Sequence, residues 1–125
     1  MDLKIIDHRL TVCKVAQTAD IDLNFTWDPG ESLMTFSGVY DGNGKEIFNV
    51  LAHDYYSIFP YNEGTIKNLT FSNVSGTSFL NVISIENRAN GIIENCHVVD
   101  IDFKGSVNAG IYGTICEKNR GIVKA

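Results

Sequence analysis

A chain of 125 residues with net charge −5, 44% apolar and 20% charged residues has the size and balance of one ordinary globular domain. It can bury roughly two-thirds of its unfolded surface, so a core forms without staples, and wholesale disorder is excluded. Lysines and arginines are scattered singly, which excludes phosphate-backbone contact as the main source of affinity, so no nucleic-acid partner is expected.

From the N-terminus, residues 1–9 hold no basic stretch followed by a long apolar run. No segment approaches the ~20 apolar residues of a membrane span. A signal peptide is therefore not expected in the chain as it stands, and the compartment is left open. Residues 1–17 are read as an N-terminal cap or a first coil. Asp20-Ile21-Asp22-Leu23 then alternates, as a strand with one inward face does. Two prolines against eleven glycines mean that turns are made by Gly, Asn and Asp, and Asp41-Gly42-Asn43-Gly44 is such a turn. Beyond it, Ile47, Val50, Leu51, Tyr55 and Ile58 have helical spacing, with Asn43 and Glu46 placed for a capping box. That is the one stretch compatible with a helix.

Internal repetition is the informative signal. Gly44-Lys45-Glu46-Ile47-Phe48-Asn49, Gly64-Thr65-Ile66-Lys67-Asn68 and Gly91-Ile92-Ile93-Glu94-Asn95 share a glycine, an isoleucine and an asparagine two residues later. A fourth copy starts at Gly121-Ile122-Val123 and is cut off, leaving the C-terminal coil incomplete. The apolar position falls at 47, 66, 93 and 123, in steps of 19, 27 and 30. Ile58, Ile85 and Ile115 each stand six residues before a repeat glycine, and Asn62 and Asn119 two before. Units of this length, made of short strands and Gly/Asn turns, cannot bury an apolar face alone, but stacked as successive coils they do. The expected fold is all-β: one domain over residues 1–125, a short parallel β-helix (β-solenoid) of irregular 19–30-residue coils. Asn49, Asn68 and Asn95 are expected to form a structural ladder, because the amide bonds the rung above and below and tolerates left-handed backbone angles.

Thr18-Ala19-Asp20-Ile21-Asp22-Leu23, Trp27-Asp28-Pro29, Phe36-Ser37-Gly38-Val39-Tyr40-Asp41-Gly42-Asn43-Gly44 and Asn62-Glu63-Gly64-Thr65-Ile66-Lys67-Asn68-Leu69 resemble, in order, the elements of bacterial GLUG-motif repeat proteins. The resemblance covers residues 18–125. It implies a right-handed β-helix of bacterial surface or secreted proteins, often adhesin-like, with no general enzymatic activity. Departures are Lys45 where the family commonly has His, and Ile58-Phe59-Pro60 and Val82-Ile83-Ser84 where it has glycine-rich triplets. Residues 3–23 also resemble the opening strands of small ACT-type amino-acid-sensing domains, but no strand–helix pattern of that kind follows.

Chemistry-bearing residues are few. Cys13, Cys96 and Cys116 are odd in number and lack metal or disulfide spacing, so they read as buried thiols. Asn24, Asn68 and Asn73 open Asn-x-Ser/Thr triplets that belong to turn chemistry. In Asp20-Ile21-Asp22 and Asp100-Ile101-Asp102 alternation aims both carboxylates of a pair outward, about 7 Å apart. Such pairs hold Ca²⁺ or act on a sugar in some β-helix enzymes. Asp41-Gly42-Asn43-Gly44 lacks the further carboxylates of a calcium loop, His53-Asp54 and His97 lack a nucleophile, and no metal or other cofactor is expected beyond a Ca²⁺ option. Trp27, Tyr40 and Tyr61 lie near turns, where an exposed ring stacks on a sugar or anchors a protein.

The expected binding residues are thus Trp27, Tyr40, Tyr61, Asp100 and Asp102, with no catalytic residue. The first functional expectation is a non-catalytic module that recognises a glycan or a protein through the flat side of its strands. The alternatives are a small inhibitor or assembly protein with an acidic surface for a basic partner, and a carbohydrate-active enzyme. An unfinished last coil also predicts self-association, or capping by a partner.

Overall fold

The computed structural model describes residues 14–25, 35–52, 58–76, 82–103 and 115–125. Among them are eleven strands and no helix: β1 (Lys14–Ala16), β2 (Ile21–Asp22), β3 (Thr35–Phe36), β4 (Val39–Ala52), β5 (Tyr61–Asn62), β6 (Thr65–Gly76), β7 (Ser84–Asn87), β8 (Ile92–Val98), β9 (Ile101–Phe103), β10 (Cys116–Asn119) and β11 (Ile122–Lys124). The chain is all-β with parallel sheets. One sheet runs β1-β4-β6-β8-β11, with β2 also on β4 and β9 on β6, and the other runs β10-β7-β5-β3.

Register explains the core. Val15, Tyr40, Ile66, Ile93 and Val123 stand in one row across the first sheet, at steps of 25, 26, 27 and 30 residues. Ile21, Ile47, Phe71 and Val98 make a second row, and Val50, Val74 and Ile101 a third. Tyr40, Ile47, Val50, Ile66, Phe71, Val74 and Ile93 are all buried. Val39, Asp41, Thr65 and Lys67, at the alternate positions, are only half-buried. A slip of one residue would turn every apolar side chain outward, so the alternation itself fixes the pairing.

Phe36 of the second sheet, with Ile58, Phe59, Val82 and Ile83 from the segments that lead into β5 and β7, completes this core. Phe59 packs edge-on against Tyr40 at 5.3 Å between ring centroids and tilted by 58° against Phe36 at 5.1 Å, contacts worth about 0.5–1.5 kcal/mol each beyond burial. Tyr40 brings a hydroxyl into the interior, and Gln17, fully buried, satisfies it: Tyr40 Oη donates to Gln17 Oε1 at 2.8 Å. Gln17 Nε2 in turn donates to the carbonyls of Ala19 and Glu46.

Three expectations change. The first repeat copy begins at Gly38, not at Gly44, because Tyr40 rather than Ile47 pairs with Ile66. Gly42, Asn43 and Gly44 form a bulge between the Asp41–Lys67 and Lys45–Leu69 pairs, where Asn68 alone lies opposite. The bulge mimics a repeat start, and taking Tyr40 instead of Ile47 as the equivalent of Ile66 turns the irregular step of 19 into one of 26. Second, Ile83 rather than Ile85 lies between Ile58 and Ile115, as the bonds from Ile58 N to Val82 O and from Ser84 N to Ile115 O require. Third, the helical spacing from Ile47 to Leu51 belongs to strand β4; Tyr55 lies outside the described residues.

The repeat glycines are explained by packing. Gly38, Gly64, Gly91 and Gly121 precede equivalent strand positions, and a Cβ at Gly64 would collide with the Gly38 carbonyl, as one at Gly121 would with that of Gly91.

Candidate functional site

Polar rows at the corners of the stack are its most organised chemistry. In the first outer row, Asn95 Nδ2 donates to Asn68 Oδ1 at 3.0 Å, and Asn68 Nδ2 donates to Asp41 Oδ1 at 3.1 Å. In the second, Asn73 Nδ2 donates to Asn49 Oδ1 at 2.6 Å, and Asn49 Nδ2 to Asp22 Oδ1 at 2.9 Å. The expected single ladder of Asn49, Asn68 and Asn95 is therefore corrected. Asn68 and Asn95 share a row, while Asn49 belongs with Asn73, because the bulge at 42–44 displaces the first copy. All of these asparagines have φ between 47° and 56°, a left-handed backbone that Asn accepts more readily than other side chains.

Each outer row starts on an aspartate that also accepts a backbone N–H two residues on: Asn24 N at 2.8 Å for Asp22, and Asn43 N at 2.8 Å for Asp41. A carboxylate has no N–H, so it fixes the direction of the row, every amide donating toward it. The Asn43 N–H, the Asn68 amide and nearby Lys67 hold the Asp41 carboxyl below its ordinary value.

A third row is buried at Asn62 and Asn87 and ends on the exposed Asn119. Asn62 Nδ2 donates to Asn87 Oδ1 and Asn87 Nδ2 to Asn119 Oδ1, both at 2.9 Å. Asn87 also reaches the carbonyls of Gly91 and Ile122. Its direction is opposite to that of the outer rows. Sequence reading saw Asn62 and Asn119 two residues before their glycines but missed Asn87, because Arg88, Ala89 and Asn90 separate it from Gly91. For Asn73 the available signal was the break in alternation between Phe71 and Val74.

The expected binding residues do not form a common site. Tyr40 is fully buried, a correction that follows from its place in the core row, and burial pushes its phenol well above the ordinary value. Tyr61 is half-buried, and the Arg88 guanidinium covers its ring at 4.4 Å from the centroid. Arg88 is held there by Thr35 Oγ1 and Glu63 Oε1, each at 3.3 Å, so that ring face is taken. Asp100 occupies a left-handed corner (φ 54°) while Asp102 lies within β9. They do not alternate along one strand as expected, because β9 begins at Ile101. Asp20 and Asp22 are engaged structurally, Asp20 accepting from Glu46 N at 3.0 Å. Trp27, Cys13 and His53-Asp54 lie outside the described residues.

Among the described residues no group of three His, Cys, Asp or Glu is placed to hold a metal. Where a calcium loop was considered, Asp41 instead anchors the bulge. His97 Nε2 lies 3.2 Å from Asn95 Oδ1. Burial pushes the Cys96 thiol up to about 11 and raises that of Cys116, which keeps both as weak nucleophiles at neutral pH.

Two surfaces remain. On the first sheet the outward row Val39, Thr65, Ile92, Ile122 runs beside a row of alternating sign, Asp41, Lys67, Glu94, Lys124. Lys124 Nζ lies 3.2 Å from Glu94 Oε2. At the end of the stack a groove of about 280 Å³ is lined by Ile93, Cys96, His97, Ile115, Val123 and Lys124. Compared with protein-family models, with curated proteins and with solved structures, the chain finds no match.

Proposed function

We propose that the chain is a short right-handed parallel β-helix, akin to GLUG-repeat proteins, that serves as a non-catalytic module recognising a protein surface through its flat side. The observation that carries this reading is the pair of outward rows, one half-apolar and one alternating in charge, on consecutive strands of one sheet. A rigid, regularly spaced array of that kind suits contact with another protein: apolar side chains supply area, and alternating charges set register and reject wrong partners. A sugar platform is less favoured, since Tyr40 is interior and one face of Tyr61 lies under Arg88. Hydrolysis is disfavoured by the engagement of Asp20, Asp22 and Asp41 in structural hydrogen bonds.

Binding of the purified chain to glycan and protein arrays, with and without Ca²⁺, tests the reading. Protein ligands should be retained, and should be lost in a Thr65→Arg, Ile92→Glu double variant whose thermal midpoint is unchanged. Ca²⁺-dependent glycan binding that Trp27→Ala abolishes and the double variant leaves intact would overturn it.

A further inference from the structure

The outward face of the first sheet carries a charge pattern that inverts when it is read from the other end. Along β4, β6, β8 and β11 one row runs Asp41, Lys67, Glu94, Lys124, and beside it runs Val39, Thr65, Ile92, Ile122. Read forward, the charged row is minus, plus, minus, plus; read backward, it is plus, minus, plus, minus. A row of even length and alternating sign is therefore the complement of its own reversal. Its charges are also only partly engaged within the chain. Among the described residues the half-buried Lys67 has no ion pair. Glu94 meets Lys124 through Oε2 alone, and Asp41 accepts both its side-chain bonds on Oδ1. Glu94 Oε1 and Asp41 Oδ2 are left open among the described residues.

We infer that the flat side pairs with a second copy of itself, about a two-fold axis that lies between β6 and β8 and runs parallel to the strands. The inference rests on the flat-side reading and names its partner. Such an axis keeps strand direction and reverses strand order. Lys67 then faces Glu94 of the second copy, Glu94 faces its Lys67, and Asp41 and Lys124 face each other at both ends. In the neighbouring row the same operation sets Thr65 on Ile92 and Val39 on Ile122. A two-fold interface uses one patch twice, so each favourable contact is doubled. Aligned sheets pack face to face about 10 Å apart, close enough for these side chains to meet.

Other arrangements of two copies fail on the same rows. A slip of one strand sets Lys67 on Lys67 or Glu94 on Glu94. An axis along the charged row sets every charge on its like, and one midway between the rows sets charges on apolar side chains. The alternation thus fixes a single register. A foreign surface would need the same strand spacing with every sign inverted, and a second copy supplies both. The arrangement does not depend on where the chain ends, because Lys67 and Glu94 lie on β6 and β8, which have paired strands on both sides. Four strands and two rows make a small face among specific interfaces, so the pairing is weak and reversible.

Sedimentation equilibrium on the full chain is the test, with two charge variants, Lys67→Glu and Glu94→Lys. The unaltered chain should show a reversible monomer–dimer equilibrium that weakens with salt. Each variant alone places like charges at both central contacts and should dimerise at least tenfold more weakly, an order-of-magnitude expectation of roughly one decade or more. An equimolar mixture of the two should restore the original association, because every central contact in the mixed dimer again joins opposite signs. The mixture holds the same two folded chains as the separate samples, so its recovery does not report a change in stability. A chain that stays monomeric up to about 1 mM, a dimer that the charge variants leave unchanged, or a mixture no tighter than its parts would each overturn the inference. A monomeric chain whose protein ligands are still lost in the Thr65→Arg, Ile92→Glu variant would overturn the second copy alone and leave the flat-side reading standing.

Discussion

Outer and inner asparagine rows use the same side chain for different reasons. At the outer corners Asn68, Asn73 and Asn95 are partly or fully exposed and sit in left-handed backbone. There the side chain is wanted chiefly because it tolerates the angle, and water replaces any amide bond that is lost. In the inner row Asn62 and Asn87 are completely buried and have no left-handed backbone. Those amides are wanted for their hydrogen bonds, because they satisfy one another and add donors to the carbonyls of Gly64, Gly91 and Ile122. The exposed rows thus serve conformation, and the buried row serves polar satisfaction.

Substitutions separate the two roles. The largest effect is expected at Asn87. Asn87→Ala removes the Asn87 acceptor of the buried Asn62 amide and a donor to the Gly91 and Ile122 carbonyls, and should lower unfolding free energy in urea by about 2–3 kcal/mol. Asn87→Gly should be no better. Tyr40→Phe leaves the buried Gln17 Oε1 without its donor and should cost about 1–2 kcal/mol in the same measurement. At the outer corner, Asn68→Ala should cost about 1 kcal/mol through backbone strain, and Asn68→Gly should recover most of it. A glycine variant as damaging as the alanine would make the outer row a hydrogen-bonding device after all.

The smallest effect concerns pH. The folded-state pKa of Asp41 lies below its ordinary 3.8, so its contribution to stability is present above that value and is lost as pH falls through the lower, folded one. Asp41→Asn should remove this part of the acid loss, seen as a flatter dependence of the urea midpoint below about pH 4. An unchanged acid limb would mean that the row gains nothing from the charge.

Much of this was legible in the sequence, and the failures have physical causes. Alternating apolar residues and Gly/Asn turns announce parallel strands because sheet pairing and left-handed corners restrict residue type so strongly. The frame of the first copy was not legible. Gly42-Asn43-Gly44 carries the chemistry of a turn, and a sequence does not say whether such a turn lies between strands or bulges within one. That shift moved Tyr40 from the expected surface to the core and separated Asn49 from Asn68. Arg88-Ala89-Asn90 likewise hid Asn87, since extra residues at a corner alter spacing without altering which side chains stack.

Among the described residues pairing partners lie 24 residues (Val50–Val74) to 32 residues (Ser84–Cys116) apart, and this bears on how the chain folds. Among the described residues no hairpin gives a strand a near neighbour in sequence, so each pairing requires closure of a loop of about 25–30 residues before it is rewarded. Closure entropy grows only with the logarithm of loop length, which makes those steps nearly equal in cost. The long β4–β6 pair gains the most from one closure and is the natural nucleus. Folding should then proceed outward from it, one strand pairing at a time and slowly for a chain of this size. Strands β10 and β11, each at the end of its sheet among the described residues, would be last to dock and first to fray.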